Sequence, residues 1–369
     1  MPEPIKTLRQ KITANVRVHR FNPDSDRAPH FDVFKVEIES GMTVLDVLQT
    51  IKEEQDSTLV FRASCRSSIC GSCAVRINGK AVLACSTQVI PTLVDTWKSS
   101  ITIMPLRNLP NIRDLVVDID AALEKLYRLH PYVVENPEHI PVTLESENLM
   151  SREELKTFDR STDCILCTSC FSSCSAVAAD SRYAGPMALA KAFRFTADPR
   201  DAFKKPRLQA AQDHGLWSCA QCRKCITTCP KNTRPAVAIQ RLRRLSIDAG
   251  IHDTPGSRRA NAYMDDVARF GQVNKPFLPV RVDGPKGWAA VEREEHYMQK
   301  FGMTHSLEVP TLPGQPDVER IYRHVREKEV ELAPTRPSLA RCHRPAEAAS
   351  QPAPVKPGDS AAAATKEKE

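Results

Sequence analysis

The sequence contains an internal cysteine repeat that constrains its fold more than any other feature. The pattern C-x2-C-x2-C-x3-C occurs twice, displaced by 55 residues, and Pro230 follows the second copy. The first copy comprises Cys164, Cys167, Cys170 and Cys174, and the second comprises Cys219, Cys222, Cys225 and Cys229. Two copies of one ligand-like spacing predict two metal-binding loops in the same domain.

The spacing favours iron-sulfur clusters over zinc. A zinc ribbon closes its tetrahedron with two separated CxxC pairs and has no role for a third cysteine between them. A cubane cluster needs the triple and one distant cysteine, and in two-cluster ferredoxins the fourth cysteine of each run binds the other cluster. The sequence therefore predicts one [4Fe-4S] cluster on Cys164, Cys167, Cys170 and Cys229, and a second on Cys174, Cys219, Cys222 and Cys225.

A separate cysteine set lies near the N-terminus. Cys65, Cys70 and Cys73 have the C-x4-C-x2-C spacing of plant-type ferredoxins, and Cys85 follows as a fourth ligand for a [2Fe-2S] cluster. Asn78-Gly79 predicts a two-residue hairpin that returns Cys85 to the loop. The alternative, structural cysteines buried in a core, requires four of them to gather at this spacing by chance.

The surrounding pattern predicts an α+β protein. Residues 1–107 alternate apolar and polar positions, as at Val16 and Val18, and a helix starts at Thr43 with a capping-box pattern. The order β-β-α-β-β-β is that of a β-grasp domain, here a [2Fe-2S] ferredoxin domain. Residues 108–250 predict an all-α two-cluster domain, with helix starts at Ser151 and Pro235.

The rest of the chain is harder to assign. Proline-rich turns separate short helical pieces over residues 251–344, an extension without a predicted role. Residues 345–369 contain one sizeable apolar residue, Val355, and predict a disordered tail. Cys342, beside His343, is expected to be a free thiol.

Composition bears on compartment. Charges interrupt every apolar run before the roughly 18 to 20 residues that a membrane-spanning helix needs. The basic N-terminus has no apolar segment after it, which argues against a secretory signal. We therefore expect a cytoplasmic protein that contacts membranes through a partner, and cysteines that act as ligands and not as disulfides.

The formal net charge of +7 suggests nucleic acid binding, and a basic stretch from Arg223 to Arg244 supports that alternative. Each predicted cluster with its four thiolates carries a charge of about −2, so three clusters lower +7 to about +1. Arg223, Lys224 and Lys231 are better explained as compensation for anionic clusters. No nucleic-acid partner is expected.

Several longer motifs accompany the cysteines: SCRSSICGSCAVRINGK at 64–80, Pro105-Leu106 with IRDLVVD at 112–118, CILC at 164–167, Gly185-Pro186, FRFTADPRD at 193–201 and CITTCPKN at 225–232. With these motifs, residues 10 to 248 resemble the iron-sulfur subunit of the succinate dehydrogenase and fumarate reductase family. The resemblance implies an electron-transfer subunit that does not bind the dicarboxylate itself. Its partners would be a flavoprotein with FAD and a membrane anchor with a quinone, which places the chain at the cytoplasmic face of the inner membrane.

The resemblance also orders the clusters. It implies that Cys65, Cys70, Cys73 and Cys85 lie nearest the flavin, that Cys164, Cys167, Cys170 and Cys229 form the middle site, and that Cys174, Cys219 and Cys225 belong to the site nearest the quinone. Most members have an aliphatic residue in place of Cys222 and a [3Fe-4S] cluster there. Because this chain has the fourth ligand, the prediction is [4Fe-4S], with [3Fe-4S] as the alternative.

Two further departures concern loops. SAVAAD follows Cys174 where many members have Pro and a Trp-containing segment at the quinone pocket, which indicates an atypical anchor. Ser67 and Ser68 replace a common Glu-Gly pair. The alternative functions are an iron-sulfur subunit of another flavin-linked dehydrogenase or of a heterodisulfide reductase-like complex, and a zinc-stabilised binding module.

Overall fold

A computed structural model describes residues 11–96, 100–136, 147–302 and 310–332. The N-terminal part is built on one five-stranded sheet with strand order β2-β1-β5-β3-β4. Its strands are β1 (Ile12–Arg20), β2 (His30–Ile38), β3 (Ala74–Ile77), β4 (Lys80–Leu83) and β5 (Ser100–Met104). β1 and β5 are parallel and the other neighbours are antiparallel, which is the predicted β-grasp arrangement.

Two helices cover this sheet. α1 (Val44–Thr50) begins with the predicted capping box, in which Thr43 and Asp46 satisfy each other's backbone amides. It buries Val44, Leu45, Val47 and Leu48 against the inner sides of the strands. α2 (Val89–Thr96) was not predicted; it lies between the cysteine-bearing hairpin and β5.

The β3–β4 hairpin has the predicted two-residue turn. Asn78 and Gly79 both have positive φ, 49° and 87°, as a tight hairpin turn requires. The register pairs Ala74 with Leu83, so the residues that flank the turn place Cys73 and Cys85 at the same end of the hairpin. The backbone confirms this closure, because the Ala84 amide donates to the Cys73 carbonyl at 3.0 Å.

One detail differs from the expected helical pattern after residue 107. A small hairpin of β6 (Asn111–Arg113) and β7 (Val116–Val117) precedes the first helix of this region. Its turn residue Asp114 is buried and accepts from the amides of Phe21 and Val60 and from the Arg20 guanidinium. Through Asp114, the hairpin holds the segment between β5 and the first helix of this region against the end of β1.

The cysteine-rich region is helical. Its helices are α3 (Asp120–Tyr127), α4 (Arg152–Thr162), α5 (Ser169–Ser172), α6 (Ser175–Ala179), α7 (Pro186–Thr196), α8 (Lys204–Asp213), α9 (Lys224–Thr227) and α10 (Pro235–Asp248). α4 and α10 begin at the predicted Ser151 capping box and at Pro235. α7 is almost wholly buried and packs against α10, α4, α3 and α8, so it forms the centre of this part of the core.

The extension adds α11 (Pro255–Phe270), α12 (Leu278–Asp283), α13 (Trp288–Lys300) and α14 (Gln315–Leu332) around a small core of its own at Ala262, Leu278 and Val282. α11 touches the cysteine-rich region where Gly256 lies against the Trp217 ring. Cys342 and the predicted tail, 345–369, lie outside the described residues. None of the helices in the described ranges is both long enough and apolar enough to span a membrane.

Arg207 of α8 forms a buried ion pair with Asp201, and the same guanidinium binds the segment that follows α3. Arg207 and Asp201 are almost fully buried, and the guanidinium donates to both carboxylate oxygens at 2.5 and 3.1 Å. It also donates to the carbonyls of His130 and Tyr132 at 3.0 and 2.8 Å. Arg207 thus satisfies four acceptors at once.

We expect Arg207→Met to lower the free energy of unfolding by about 3–5 kcal/mol, because it leaves the buried Asp201 carboxylate without its cation. Denaturant titration followed by circular dichroism, under anaerobic conditions, measures the loss. The control is Arg320→Met, whose pair with Asp317 is 79 % and 70 % exposed and should cost less than about 1 kcal/mol. Equal losses in the two variants would contradict this role.

Candidate iron-sulfur sites

The first cysteine loop is shaped to receive a group with negatively charged sulfur. Arg66, Ser68 and Gly71 have positive φ values of 55°, 58° and 77°, which turns successive amides toward the inside of the loop. The amides of Ser67, Ile69 and Cys70 approach Cys65 Sγ at 3.4, 3.3 and 3.2 Å, and the Ser68 amide approaches Cys85 Sγ at 3.2 Å. These backbone amides are placed to donate to the sulfurs of Cys65 and Cys85.

The four thiols of this loop have different environments. Cys73 and Cys85 are buried, Cys65 is half-buried and Cys70 is exposed. Hydrogen bonding from Ser72 lowers the pKa of Cys70 to about 6, whereas burial raises the pKa of Cys73 to about 11. A thiolate at Cys73 therefore needs the positive charge of a bound metal, and Cys70 places one side of the site at the surface.

The second site is a small cavity in the helical region. Its lining includes Cys164, Cys167, Cys170 and Cys229, which is the set predicted for the middle cluster. Two of these sulfurs have neighbouring hydroxyls: Cys167 Sγ lies 3.4 Å from Ser169 Oγ, and Cys229 Sγ lies 3.2 Å from Thr233 Oγ1. Burial raises the pKa of Cys170 well above its ordinary value, so this thiol also needs iron to become a ligand.

The third site is a similar small cavity. Cys174, Cys219, Cys222 and Cys225 line it, together with Tyr183, Arg223 and Lys224. Cys225 is buried and Cys222 is exposed, so the cavity opens to solvent on the side of Cys222 and its basic neighbours. The positive charges of Arg223 and Lys224 suit an anionic group.

The two cavities exchange ligands between the repeats. The first repeat gives three cysteines to one cavity and Cys174 to the other, and the second repeat gives three to the other cavity and returns Cys229. The two exchanged cysteines, Cys174 and Cys229, follow the short helices α5 and α9, which pack against each other. Thr228 Oγ1 donates to Ser173 Oγ across the pair at 3.2 Å.

The backbone repeats the same local conformation in both copies. Leu166 and Thr168 have φ of 56° and 57°, and the corresponding Gln221 and Arg223 have 54° and 63°. A left-handed conformation is unusual for a β-branched residue such as Thr168. Alternating left-handed residues turn the backbone around each cavity, as they do in the first loop.

These residues fit clusters better than single ions. Four thiols line each of the two cavities, which is the arrangement that a cubane of iron and sulfide requires. Two buried hydroxyls that line these cavities, Thr168 Oγ1 and Tyr183 Oη, have no hydrogen-bond partner in the described part of the chain, so the cavities are built for a group that can accept from them.

The basic residues between Arg223 and Arg244, which suggested nucleic acid binding, have several different roles in the structure. Lys231 lines the second site, and Arg223 and Lys224 line the third. Arg243 donates to the carbonyls of Leu216 and Cys219 at 3.1 and 2.7 Å and lies over the Trp217 ring. The remaining arginines include Arg241, which donates to the Thr157 carbonyl, and Arg244, which pairs with Asp248. Several of these charges are thus committed to the sites or to neighbouring elements.

Some site residues were not predicted from sequence. They are the hydroxyl residues Thr168, Ser169, Tyr183 and Thr233, and Arg243. The serine and threonines adjoin cysteines in the sequence, so a search for hydroxyls within four positions of a ligand could have found them. Tyr183 follows Cys174 by nine residues, outside that range, and the fold brings its side chain back to the third cavity.

The first and second sites are in direct contact. A Cβ atom built on Gly71 would lie 2.8 Å from Cys167 Cβ and 3.3 Å from the Ile165 carbonyl oxygen. Gly71 is also in the left-handed region at φ 77°, where an L side chain is strained. A glycine is therefore required on both counts, and it lets the loop of one site touch the loop of the next.

Family models match both cysteine-bearing regions. A 2Fe-2S iron-sulfur cluster binding domain matches residues 15–124, and a 4Fe-4S dicluster domain matches residues 160–233. The chain therefore contains a [2Fe-2S] domain and a [4Fe-4S] domain, as predicted.

Known proteins match over most of their own length. The 8-methylmenaquinol:fumarate reductase iron-sulfur subunit of Wolinella succinogenes is 36 % identical over 271 residues, which are 72 % of this chain and 83 % of that protein. The succinate dehydrogenase iron-sulfur subunit of Paracoccus denitrificans is 36 % identical over 241 residues, which are 63 % of this chain and 89 % of that protein.

A solved structure has the same architecture. One chain of the Mycobacterium smegmatis Sdh1 complex in the apo form superimposes with a TM-score of 0.56 at 26 % sequence identity, covering 64 % of this chain and 97 % of that chain. The resemblance inferred from the motifs is confirmed by these matches. The chain belongs to the family of iron-sulfur subunits of succinate dehydrogenases and fumarate reductases.

Proposed function

We propose that this subunit carries electrons between the flavin of a flavoprotein partner and a quinone at a membrane anchor, within a succinate dehydrogenase or fumarate reductase. The observation that carries the proposal is the contact between successive sites: the first loop touches the second cavity, and α5 of the second cavity packs against α9 of the third. When bound, the clusters supply reversible one-electron oxidation and reduction. The chain itself binds no dicarboxylate.

We assign the ligands from these contacts. Cys65, Cys70, Cys73 and Cys85 would hold [2Fe-2S], Cys164, Cys167, Cys170 and Cys229 would hold [4Fe-4S], and Cys174, Cys219, Cys222 and Cys225 would hold the third cluster. Cys222 supports [4Fe-4S] at the third site, because its thiol completes a set of four around the cavity. With only three of these cysteines, a [3Fe-4S] cluster would be expected.

The exposed side of the first loop is the proposed docking site of the flavoprotein. Cys70 is exposed, and the neighbouring Ile69 side chain is 63 % exposed at the tip of the loop. A partner that covers this tip would exclude water from the first site and bring its flavin close to it. Burial of an exposed aliphatic side chain also favours association.

The middle of the chain is held together by direct bonds between the two parts of the fold. The Arg107 amide donates to Ser172 Oγ at 2.8 Å, and the Asn108 side chain donates to the carbonyls of Phe171 and Cys174 at 3.0 and 2.9 Å. The segment after β5 thus caps α5, whose Cys170 lines the second site. These bonds hold the end of the N-terminal sheet against the helical region.

The third site is the proposed exit toward the quinone. Cys222, Arg223 and Lys224 are exposed there, so an anchor subunit can approach this cavity. We place the subunit at the cytoplasmic face of the inner membrane, bound through that anchor. The segment after Cys174 forms the short helix α6, without the tryptophan that many relatives have, which supports an atypical anchor.

The residue boundaries 1–107, 108–250 and 251–344 remain our proposed division of the chain. The other flavin-linked dehydrogenases and the heterodisulfide reductase-like complexes are not favoured, because the matching relatives have names of the succinate dehydrogenase and fumarate reductase family.

The direct test is co-purification of the full chain with its partners under anaerobic conditions. We expect a complex that contains a flavoprotein and reduces an artificial dye with succinate as the electron donor. A flavoprotein complex that contains iron and acid-labile sulfide but gives no succinate-dependent dye reduction, and no fumarate-dependent oxidation of a reduced dye, would contradict the proposal.

Gly71 provides a test of the first transfer step. In the complex, Gly71→Ala should slow reduction of the second site several-fold after succinate is added, because the new methyl group pushes the first loop away from Cys167. Freeze-quenched samples examined by electron paramagnetic resonance would follow each site in time.

The matched control is Gly79→Ala. Gly79 also has a positive φ, of 87°, but a Cβ there meets nothing within 4 Å. Both variants carry the same kind of backbone strain, of about 1 kcal/mol, and only Gly71→Ala adds the collision. Equal rates in the two variants would show that the contact at Gly71 does not govern transfer.

Cys222 tests the identity of the third cluster. The oxidised wild-type protein should lack a [3Fe-4S] paramagnetic signal, and Cys222→Ser should create it because only three thiols remain around the cavity. Iron analysis should show the loss of about one iron per chain. A [3Fe-4S] signal in wild-type protein prepared without oxygen would overturn the assignment of Cys222.

A further inference from the structure

Two buried hydroxyl groups face the cysteine-lined cavities without partners. Tyr183 is 0 % exposed and Thr168 is 2 % exposed. Neither Tyr183 Oη nor Thr168 Oγ1 forms a hydrogen bond of ordinary geometry with the described residues. A buried hydroxyl that has lost water without gaining a partner destabilises the fold, so each requires an explanation.

Each hydroxyl belongs to a different cavity. Thr168 lines the cavity of Cys164, Cys167, Cys170 and Cys229, and Tyr183 lines the cavity of Cys174, Cys219, Cys222 and Cys225. A phenol hydroxyl is a hydrogen-bond donor at neutral pH. The Cys219 sulfur is among the neighbours of Tyr183 in the third cavity.

The backbone holds both side chains in place. The Tyr183 amide donates to the Asp180 carbonyl at 3.2 Å, and its own carbonyl accepts from Lys125 Nζ at 2.8 Å. Thr168 has a φ of 57°, a strained conformation for a β-branched residue, and its carbonyl accepts from the Ser172 amide at 2.9 Å. The chain thus maintains strain at Thr168 at the edge of a cavity.

The two repeats differ at this position, which makes the pair informative. Arg223 stands where Thr168 stands in the first repeat, so the second repeat has no hydroxyl of its own at that point. Tyr183 supplies one from outside the repeat. Ser169 and Thr233, by contrast, already lie against Cys167 and Cys229 and are not orphaned.

We propose that Thr168 Oγ1 and Tyr183 Oη each donate a hydrogen bond to a sulfur of the cluster in their own cavity and raise its reduction potential. This rests on the proposed function, because it requires clusters at both sites. Reduction adds negative charge to the sulfurs, so a donor stabilises the reduced form more than the oxidised form. Both residues are positioning residues and do not themselves exchange electrons.

The test compares Tyr183→Phe and Thr168→Val in the full complex. Both substitutions keep the shape of the side chain and remove only the hydroxyl donor. We expect Tyr183→Phe to lower the equilibrium constant for reduction of the third cluster about tenfold, which is ~59 mV for one electron, and to leave the middle cluster unchanged. Thr168→Val should lower the equilibrium constant for reduction of the middle cluster by a similar factor and leave the third cluster unchanged. Redox titration followed by electron paramagnetic resonance measures both clusters in one sample.

The control is Tyr127→Phe, which makes the same chemical change at a side chain that is 66 % exposed. It should move neither potential. As a second measurement, electron-nuclear double resonance of the reduced wild-type complex in H2O and D2O should show an exchangeable proton coupled to each cluster. The corresponding coupling should vanish in the variant that lacks the hydroxyl.

The outcomes separate this inference from the proposed function. Clusters that assemble in the variants with unchanged potentials and unchanged proton couplings would overturn the inference and leave electron transfer intact. A wild-type complex with no iron and sulfide at the middle or third site would overturn the ligand assignment instead. If a variant fails to assemble its cluster, the wild-type complex decides: the absence of any exchangeable proton coupled to that cluster would overturn the inference.

Discussion

The exchange of one cysteine between the two repeats is the constraint on which the rest of the helical region depends. Because Cys174 belongs to the cavity of the second repeat and Cys229 to that of the first, neither site can be completed without the other. The exchange requires α5 and α9 to lie side by side, and the Ser173–Thr228 hydrogen bond joins them at that point. α7 and α10 then pack around this pair, and they bury Met187, Leu189, Ile239 and Leu242. A change that separates α5 from α9 would therefore disturb two sites and the core between them.

Burial of the cysteine thiols couples metal binding to folding. Burial raises the pKa of Cys170, and that of Cys225 to about 12, so these thiols remain protonated at neutral pH until a cation replaces the proton. The free energy of metal binding is then part of the free energy of folding. The first loop differs, because amides already approach Cys65 and Cys85, and the pKa of Cys70 is lowered to about 6. The first loop is accordingly better prepared to receive iron than the two cavities are.

Sequence reasoning succeeded where local spacing determines the outcome. The Asn78-Gly79 turn and the capping boxes at Thr43 and Ser151 depend on residues a few positions apart, and the structure contains each of these local features. α2 was missed because Val89–Thr96 is rich in β-branched residues and contains Pro91, both of which favour other conformations. The β6–β7 hairpin was missed because its strands are short and its stability comes from the distant Arg20 and from backbone groups that meet Asp114. Tyr183 could not be found because its relation to the third cavity exists only in the folded chain.

The pattern of exposure along the sites has a direct consequence for how the subunit can work. Cys70 is exposed in the first site and Cys222 in the third, whereas each cysteine of the middle site is at least partly buried. A carrier with one accessible site would have to receive and release electrons at the same surface, so its two partners would compete. Because the first and third sites are each accessible and the middle site is covered, two partners can remain bound at the same time. The close approach at Gly71 and the bonds from Arg107 and Asn108 to α5 hold the first loop and the helical sites in one fixed relation, so electrons can cross the subunit without domain movement.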